Sequence, residues 1–224
     1  MDGDDPGTET TLAHTGKPVP VALWAEMREA LRGLDVVAQL RLRFRRSGGA
    51  ISLESGGEFK FRLDAAHRPD RVNQKQQLPI HGTIAELMIL ANQCVAQATL
   101  HTHPTSALLR RHEQPPLKKL QRVLELAHQA NFALDASSNV ALAASMQRAQ
   151  AQLEEPVFAA LNAALTRAMS EAKYVVAAQV SDFAHFGLGI QHYTHFTSPI
   201  RRYADIIVHR LLLSDPERVE GRDP

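Results

Sequence analysis

The chain has 224 residues, with 25 Lys+Arg against 24 Asp+Glu, 44% apolar residues, one Cys and 11 His. That apolar content with so small a net charge excludes global disorder and fits one to two folded domains, at the usual size of about 100–200 residues each. The lone Cys94 excludes an internal disulfide and a multi-thiolate zinc module. No run approaches the roughly 18 apolar residues of a membrane-spanning helix. Asp2, Asp4, Asp5 and Glu9 precede the first base, Lys17, which is the reverse of a signal or transit peptide. A cytoplasmic or nuclear protein with no membrane association is expected. Four of the 24 acids lie in residues 1–16, which contain no Lys or Arg, so residues 17–224 carry 25 bases against 20 acids. That mild excess of bases does not by itself announce a nucleic-acid partner.

Residues 1–20 combine Gly, Pro, Thr and acid and read as a flexible acidic leader. From Val21 the pattern is helical. Leu23, Met27, Ala30, Leu31, Leu34, Val37 and Leu40 recur at three- and four-residue spacing to about Phe44, and Arg41, Arg43, Arg45 and Arg46 complement the C-terminal end of the dipole. Ser47-Gly48-Gly49 ends the helix. ISLES and EFKFRLD, separated by Gly56-Gly57, predict a short β-hairpin in which Phe59, Phe61 and Leu63 alternate with charged residues. Residues 64–82 read as a loop. Thr83-x-x-Glu86 has the form of a capping box, which would start a long helix whose buried side is Ile84, Leu87, Met88, Ala91, Val95 and Ala98. Helices at about 116–130, 138–153 and 156–179 follow, the last opened by Pro156. A polar tail begins at Ser214. The fold class expected is α+β with helices dominant.

Residues 197–213 carry the chemistry. Thr197 or Ser198 is an N-cap candidate and Pro199 suits the first helical position, so a helix is expected from Ser198. Ile200, Tyr203, Ala204, Ile207, Val208 and Leu211 then share one face. Arg201 and Arg202 would sit in its first turn, where the dipole disfavours each cation by about 0.3–1 kcal/mol. An anion would offset that cost: the helix N-terminus, the two hydroxyls and an Arg fork are all phosphate-binding groups. The alternative is that Arg202 pairs with Asp205 while Arg201 faces solvent. His192, Tyr193, His195 and Phe196 place rings close to the arginines, the combination used to hold single-stranded nucleic acid. Tyr193 and Phe196 could equally be core residues.

The segment HYTHFTSPIRRYADIIVHRLL, residues 192–212, resembles the signature of the RNB catalytic domain of the ribonuclease II and ribonuclease R family, in wording most like the eukaryotic exosome-type branch. ALW, GGAISLES, FKFRLD, IAELMILANQCVA, ALLRRHEQPP and HFGLG resemble further blocks of that domain in the same order, over about residues 21–213. The resemblance implies hydrolysis of single-stranded RNA from its 3′ end to nucleoside monophosphates. It implies that Arg201 holds phosphate near the scissile bond and that Glu86 lies near the 3′-terminal nucleotide. It also implies RNA-facing or site-supporting places for Tyr193, His195, Thr197, Ser198 and Arg210, to which the pair of adjacent arginines adds Arg202 as an RNA-binding candidate. Two positions depart from the family pattern: Ala85 replaces the first acid of an acidic pair, and Gly82 stands near the place of an Asn.

The family holds Mg²⁺ with an aspartate cluster of the form D-x5-D-x-D-D, because hard cations take oxygen ligands. No such block occurs here; Asp2-Gly3-Asp4-Asp5 copies part of it without the upstream Asp or flanking apolar residues. No metal ligand is therefore assigned. The expectation is a C-terminal half of an RNB domain (21–213) with a leader (1–20) and a tail (214–224). The chain would be a fragment of an active nuclease, with a split nuclease completed by another chain, or an inactive RNA-binding relative, as alternatives. Its partners would be single-stranded RNA, a segment or chain supplying the aspartates, and an exosome-type assembly. His101-x-His103 and His185, His192 and His195 lack thiolate or carboxylate companions and read as surface or supporting residues. Cys94 reads as a packed thiol, and Arg110, Arg111, Lys118, Lys119 and Arg122 as a solvated or RNA-facing patch.

Overall fold

A computed structural model describes residues 21–51, 59–64, 67–74 and 78–214. The leader with Asp2, Asp4 and Asp5, the ISLES strand beyond Ile51, and the tail after Ser214 lie outside the described residues. Six α-helices and two small antiparallel sheets make up the described part: α1 (Val21–Ser47), β1 (Phe59–Leu63), β2 (Pro69–Gln74), α2 (Pro79–Thr102), β3 (Leu108–Arg111), α3 (Leu117–Gln129), α4 (Asn139–Gln152), α5 (Glu155–Ala168), β4 (Lys173–Val176) and α6 (Tyr203–Leu213). The helix-dominated α+β class is as expected.

The core lies among α3, α4 and α5. Leu120, Val123 and Ala127 repeat at three- and four-residue spacing on α3 and meet Leu142, Met146 and Ala149 of α4 and Leu161 and Leu165 of α5, with Ile51 and Phe186 closing the cluster. Each such large aliphatic side chain contributes about 1.5–3 kcal/mol by leaving water. The local signals agree with this arrangement. Ser138 caps α4, its Oγ accepting the Ala141 N–H at 3.1 Å, and Pro156 lies in the first turn of α5.

Elsewhere long-range pairing overrides local pattern. The strand partner of β1 is β2, inside the segment read as a loop, with Phe61 opposite Val72; Pro69 is tolerated as the first residue of its strand. The helix expected to run to 179 stops at Ala168, because Lys173–Val176 pairs with Leu108–Arg111 as β4 against β3. Val175 and Val176 suit a strand better than a helix.

α2 starts at Pro79, four residues before the expected capping box, and the His81 ring accepts the Leu78 N–H at 3.3 Å. Thr83 is thus inside the helix, donating to Asp35 of α1 at 2.5 Å, and Glu86 pairs with Arg45. The buried face of α2 is Thr83, Glu86, Asn92, Ala96 and Thr99, whereas Ile84 is exposed. The mostly polar face is buried because its partners are polar: Asp35, Arg45 and the 193–196 segment. Cys94 is exposed, contrary to the packed thiol expected. Along α1, Leu23, Met27, Leu31, Leu34, Val37 and Leu40 are exposed as well, and among its described side chains only Ala38 and Arg45 are buried.

The last helix begins at Tyr203 rather than Ser198. Residues 199–201 form a separate turn, and Arg202 is extended with φ −133° and ψ 117°. The cause is Asp205, whose side chain captures the Ser198 N–H and the Arg202 guanidinium. Hydrogen bonds to a buried charge are worth about 1.5–3 kcal/mol each, against about 1 kcal/mol for an N-cap, so the charged cluster decides where the helix starts. Arg201 and Arg202 consequently precede the first turn, and the expected conflict with the dipole does not arise. Ile200 and Tyr203, expected on the core face, are exposed.

Candidate nucleic-acid interface

Residues 191–202 cross between α2, the β3–β4 sheet and α6. The Arg110 N–H donates to the Tyr193 carbonyl at 2.7 Å and Thr194 Oγ1 donates to the Leu108 carbonyl at 2.7 Å, so the segment enters alongside β3. Asn92 of α2, 2% exposed, makes the next attachment. Its amide donates to Tyr193 Oη at 3.0 Å and its carbonyl accepts the Phe196 N–H at 2.9 Å. From α6, His209 Nε2 donates to the Phe196 carbonyl at 2.9 Å, and the two rings stack with centroids 4.2 Å apart.

A row of rings runs through this region. His112 and His185 meet edge to face at 5.0 Å, His185 and Tyr193 at 5.2 Å, Tyr193 and His195 at 5.7 Å. The Tyr174 hydroxyl of β4 shares a hydrogen bond with His195 Nδ1 at 2.7 Å, and the Arg110 guanidinium lies 4.9 Å over the Tyr174 ring. Burial and then the His112 and Arg110 charges hold His185 down to about 3. Burial and then the neighbouring arginine charges hold His195 down to about 4, and burial lowers His112 as well. These imidazoles are neutral at pH 7. The cations of the site are therefore its arginines, and the rings act as apolar faces and hydrogen-bond partners.

Asp205 is 0% exposed. Its Oδ1 accepts the Ser198 N–H at 2.8 Å and Arg202 Nη2 at 2.9 Å, and Arg202 Nε lies 2.8 Å from Oδ2 without the alignment of a hydrogen bond. Arg202 is thus committed to Asp205, the alternative left open by the spacing. Arg201, between these two anchored residues, is exposed, and so is Arg210 one turn beyond Ile206 and Ile207. Thr197 Oγ1 is buried without a hydrogen-bond partner.

Glu86 belongs to a different cluster. Both of its carboxylate oxygens are taken by Arg45, through Nε at 2.9 Å and through Nη2, and Arg45 Nη1 donates to the Leu188 carbonyl at 3.0 Å. Gly189, at φ +63°, is required beside it, since a Cβ there would lie 2.6 Å from the Ala50 nitrogen. The pair borders a cleft of about 340 Å³ between α1 and α2 whose wall includes Ala85, Arg46 and Ile51.

The structure thus brings together Tyr193, His195, Thr197, Ser198, Arg201 and Arg202, while Glu86 is engaged by Arg45. Tyr193 is buried with its hydroxyl bonded, one of the two readings its pattern allowed. Sequence reasoning missed Asn92 and Tyr174 as parts of the site. Asn92 had a signal, as a polar residue inside the apolar run of α2; Tyr174 had none, because the strand that carries it read as helix. Among the described residues no three His, Cys, Asp or Glu side chains gather in a metal-binding group. The buried carboxylates do not fit Mg²⁺, since Glu86 and Asp205 are engaged by Arg45 and Arg202. Among the described residues, no helix is long and apolar enough to cross a membrane.

Comparison with known proteins shows the family. Residues 7–214 match the RNB domain family. The chain is 41% identical over 186 residues to the probable exosome complex exonuclease RRP44 of Caenorhabditis elegans, covering 81% of this chain and 19% of that protein. It is 35% identical over 202 residues to ribonuclease R of Mycoplasma pneumoniae, covering 87% of this chain and 27% of that protein. Among solved structures, Mycoplasma genitalium RNase R in complex with double-stranded RNA superimposes with a TM-score of 0.71 at 29% identity, over 86% of this chain and 34% of that one. Yeast Ssd1, described as a pseudonuclease, superimposes with a TM-score of 0.59 at 26% identity, over 66% of this chain and 18% of that one. The chain spans about a fifth to a quarter of the length of these sequence relatives. Across nearly all of its described length, it belongs to the RNB domain family.

Proposed function

We infer that this chain is the RNA-binding C-terminal part of an RNB-type nuclease, and that the complete enzyme hydrolyses single-stranded RNA from its 3′ end to nucleoside monophosphates in RNA processing and decay. The observation that carries this reading is Arg201, exposed between the anchored residues Ser198 and Arg202 and close in sequence to His195 and Phe196. Arg201 meets a backbone phosphate as a bidentate donor, with Ser198 beside it. Arg210 adds a second exposed cation on α6. Neutral His195 offers an uncharged polar ring to the bases or sugars. Tyr193 and Arg202 support the site from below, one through Asn92 and the other through Asp205. Glu86 acts through Arg45, fixing α1 against α2 at the cleft where the terminal nucleotide would end.

In the complete domain Mg²⁺ would supply charge neutralisation for phosphodiester hydrolysis. Its carboxylate ligands would come from outside the described residues, on an upstream segment or a companion chain. An exosome-type assembly and a cytoplasmic or nuclear location belong to the same reading, since three eukaryotic relatives named as exosome exonucleases are 37–41% identical to this chain. The likeness to a pseudonuclease favours, as a second reading, an RNA-binding relative that does not cut. Incubating the pure chain with oligoadenylate and Mg²⁺ tests the assignment of the metal ligands. Binding without mononucleotide release is expected; robust Mg²⁺-dependent release would overturn it and place ligands within this chain.

A further inference from the structure

Residues 196–198 belong to no sheet or helix, yet three of their backbone groups are held by side chains from two helices. The Phe196 N–H goes to Asn92 Oδ1 at 2.9 Å, the Phe196 carbonyl takes His209 Nε2 at 2.9 Å, and the Ser198 N–H goes to Asp205 Oδ1 at 2.8 Å. The two acceptor side chains come from different helices, α2 and α6, and both are almost wholly buried. They take alternate N–H groups, those of Phe196 and Ser198, on either side of the bend at Thr197. A buried carboxylate is costly to maintain, and here its charge is paired with Arg202, the residue after Arg201. Arg201 is therefore fixed from both directions: its own N–H reaches the Ser198 carbonyl at 3.3 Å, and Arg202 is tied to the same carboxylate that holds Ser198.

Resting on the reading of Arg201 as a phosphate ligand, we propose that Asp205 and Asn92 are positioning residues that hold the 196–202 backbone in its binding conformation before RNA arrives. Neither side chain touches the phosphate. Their contribution is preorganisation: the ordering of the turn is completed on folding and is not charged against binding. Releasing the turn should weaken RNA binding by about three- to tenfold, the scale of ordering one or two long side chains.

The test is a double-mutant cycle in the full chain, reading the affinity for a labelled oligoadenylate and its dependence on salt. Asp205→Ala alone is expected to weaken binding by that factor and to lower the salt slope by up to about one phosphate contact. In an Arg201→Ala background it is expected to add almost nothing, because the residue it positions is gone. Additive losses, or an Asp205→Ala chain with unchanged affinity and slope, would overturn the positioning role while leaving the phosphate reading standing. An Arg201→Ala chain that binds as the parent does would overturn the phosphate reading itself, and this proposal with it. Should Asp205→Ala fail to fold, Asn92→Ala enters the same cycle. Amide exchange in the unaltered chain gives an independent reading: slow exchange is expected at Phe196 and Ser198, and exchange there as fast as in an unstructured peptide would overturn the clamp.

Discussion

Arg45 and Glu86, forty-one residues apart, form a buried two-point ion pair that joins α1 to α2, with both residues less than a tenth exposed. Isolating either charge in that position is expected to cost about 3–5 kcal/mol, because the partner stays buried and unpaired. Arg45→Met should therefore lower the urea midpoint sharply. Combining it with Glu86→Leu should recover most of the loss, since an apolar pair of similar volume replaces both charges. A single substitution without effect on the midpoint would show that water reaches the pair.

The ring row makes stability depend on pH in a defined direction. His185 is held down to about 3 and His195 to about 4, from an ordinary 6.5. Between those values and 6.5 the unfolded chain binds protons that the folded chain does not, so stability rises with pH across that window. The contribution is complete above 6.5 and is lost as the pH falls to about 4 for His195 and about 3 for His185. Urea midpoints should thus fall between pH 7 and pH 5, and His185→Asn, whose amide oxygen can accept the Leu188 N–H as Nδ1 does, should flatten that fall. An equally steep fall in the variant would point to other groups.

The adjacent arginines should behave differently. Arg202 neutralises a fully buried carboxylate, so Arg202→Ala leaves Asp205 unpaired and should cost about 3 kcal/mol of stability. Arg201 is exposed, and Arg201→Ala should change stability by less than about 0.5 kcal/mol. Thermal melts of the two variants distinguish these roles; similar losses would mean that Arg201 has a structural partner.

How far the sequence discloses this arrangement follows from the range of the interactions. α3 and α4 are legible because Leu120, Val123 and Ala127 repeat with the helical period and Ser138 caps its own helix. The boundaries at 79, 168 and 203 are not, because each depends on a distant or competing partner: Asp35 and Arg45 for α2, β3 for β4, and the Asp205 carboxylate for α6. The apolar period of α2 misassigns its buried face for the same reason. At the site, the pairing of Arg202 with Asp205 was visible at three-residue spacing, and the exposure of Arg201 was its corollary. Asn92 meets Phe196 from 104 residues away, a separation that no local pattern reports.

The phosphate-binding role of the 193–202 segment is tested most directly by the affinity of the chain for single-stranded oligoadenylate as a function of salt, with and without Arg201→Ala. The variant should bind about five- to a hundredfold more weakly, with a log–log salt slope smaller by about one. Equal affinity and equal slope in the two chains would contradict the assignment of Arg201 as a phosphate ligand.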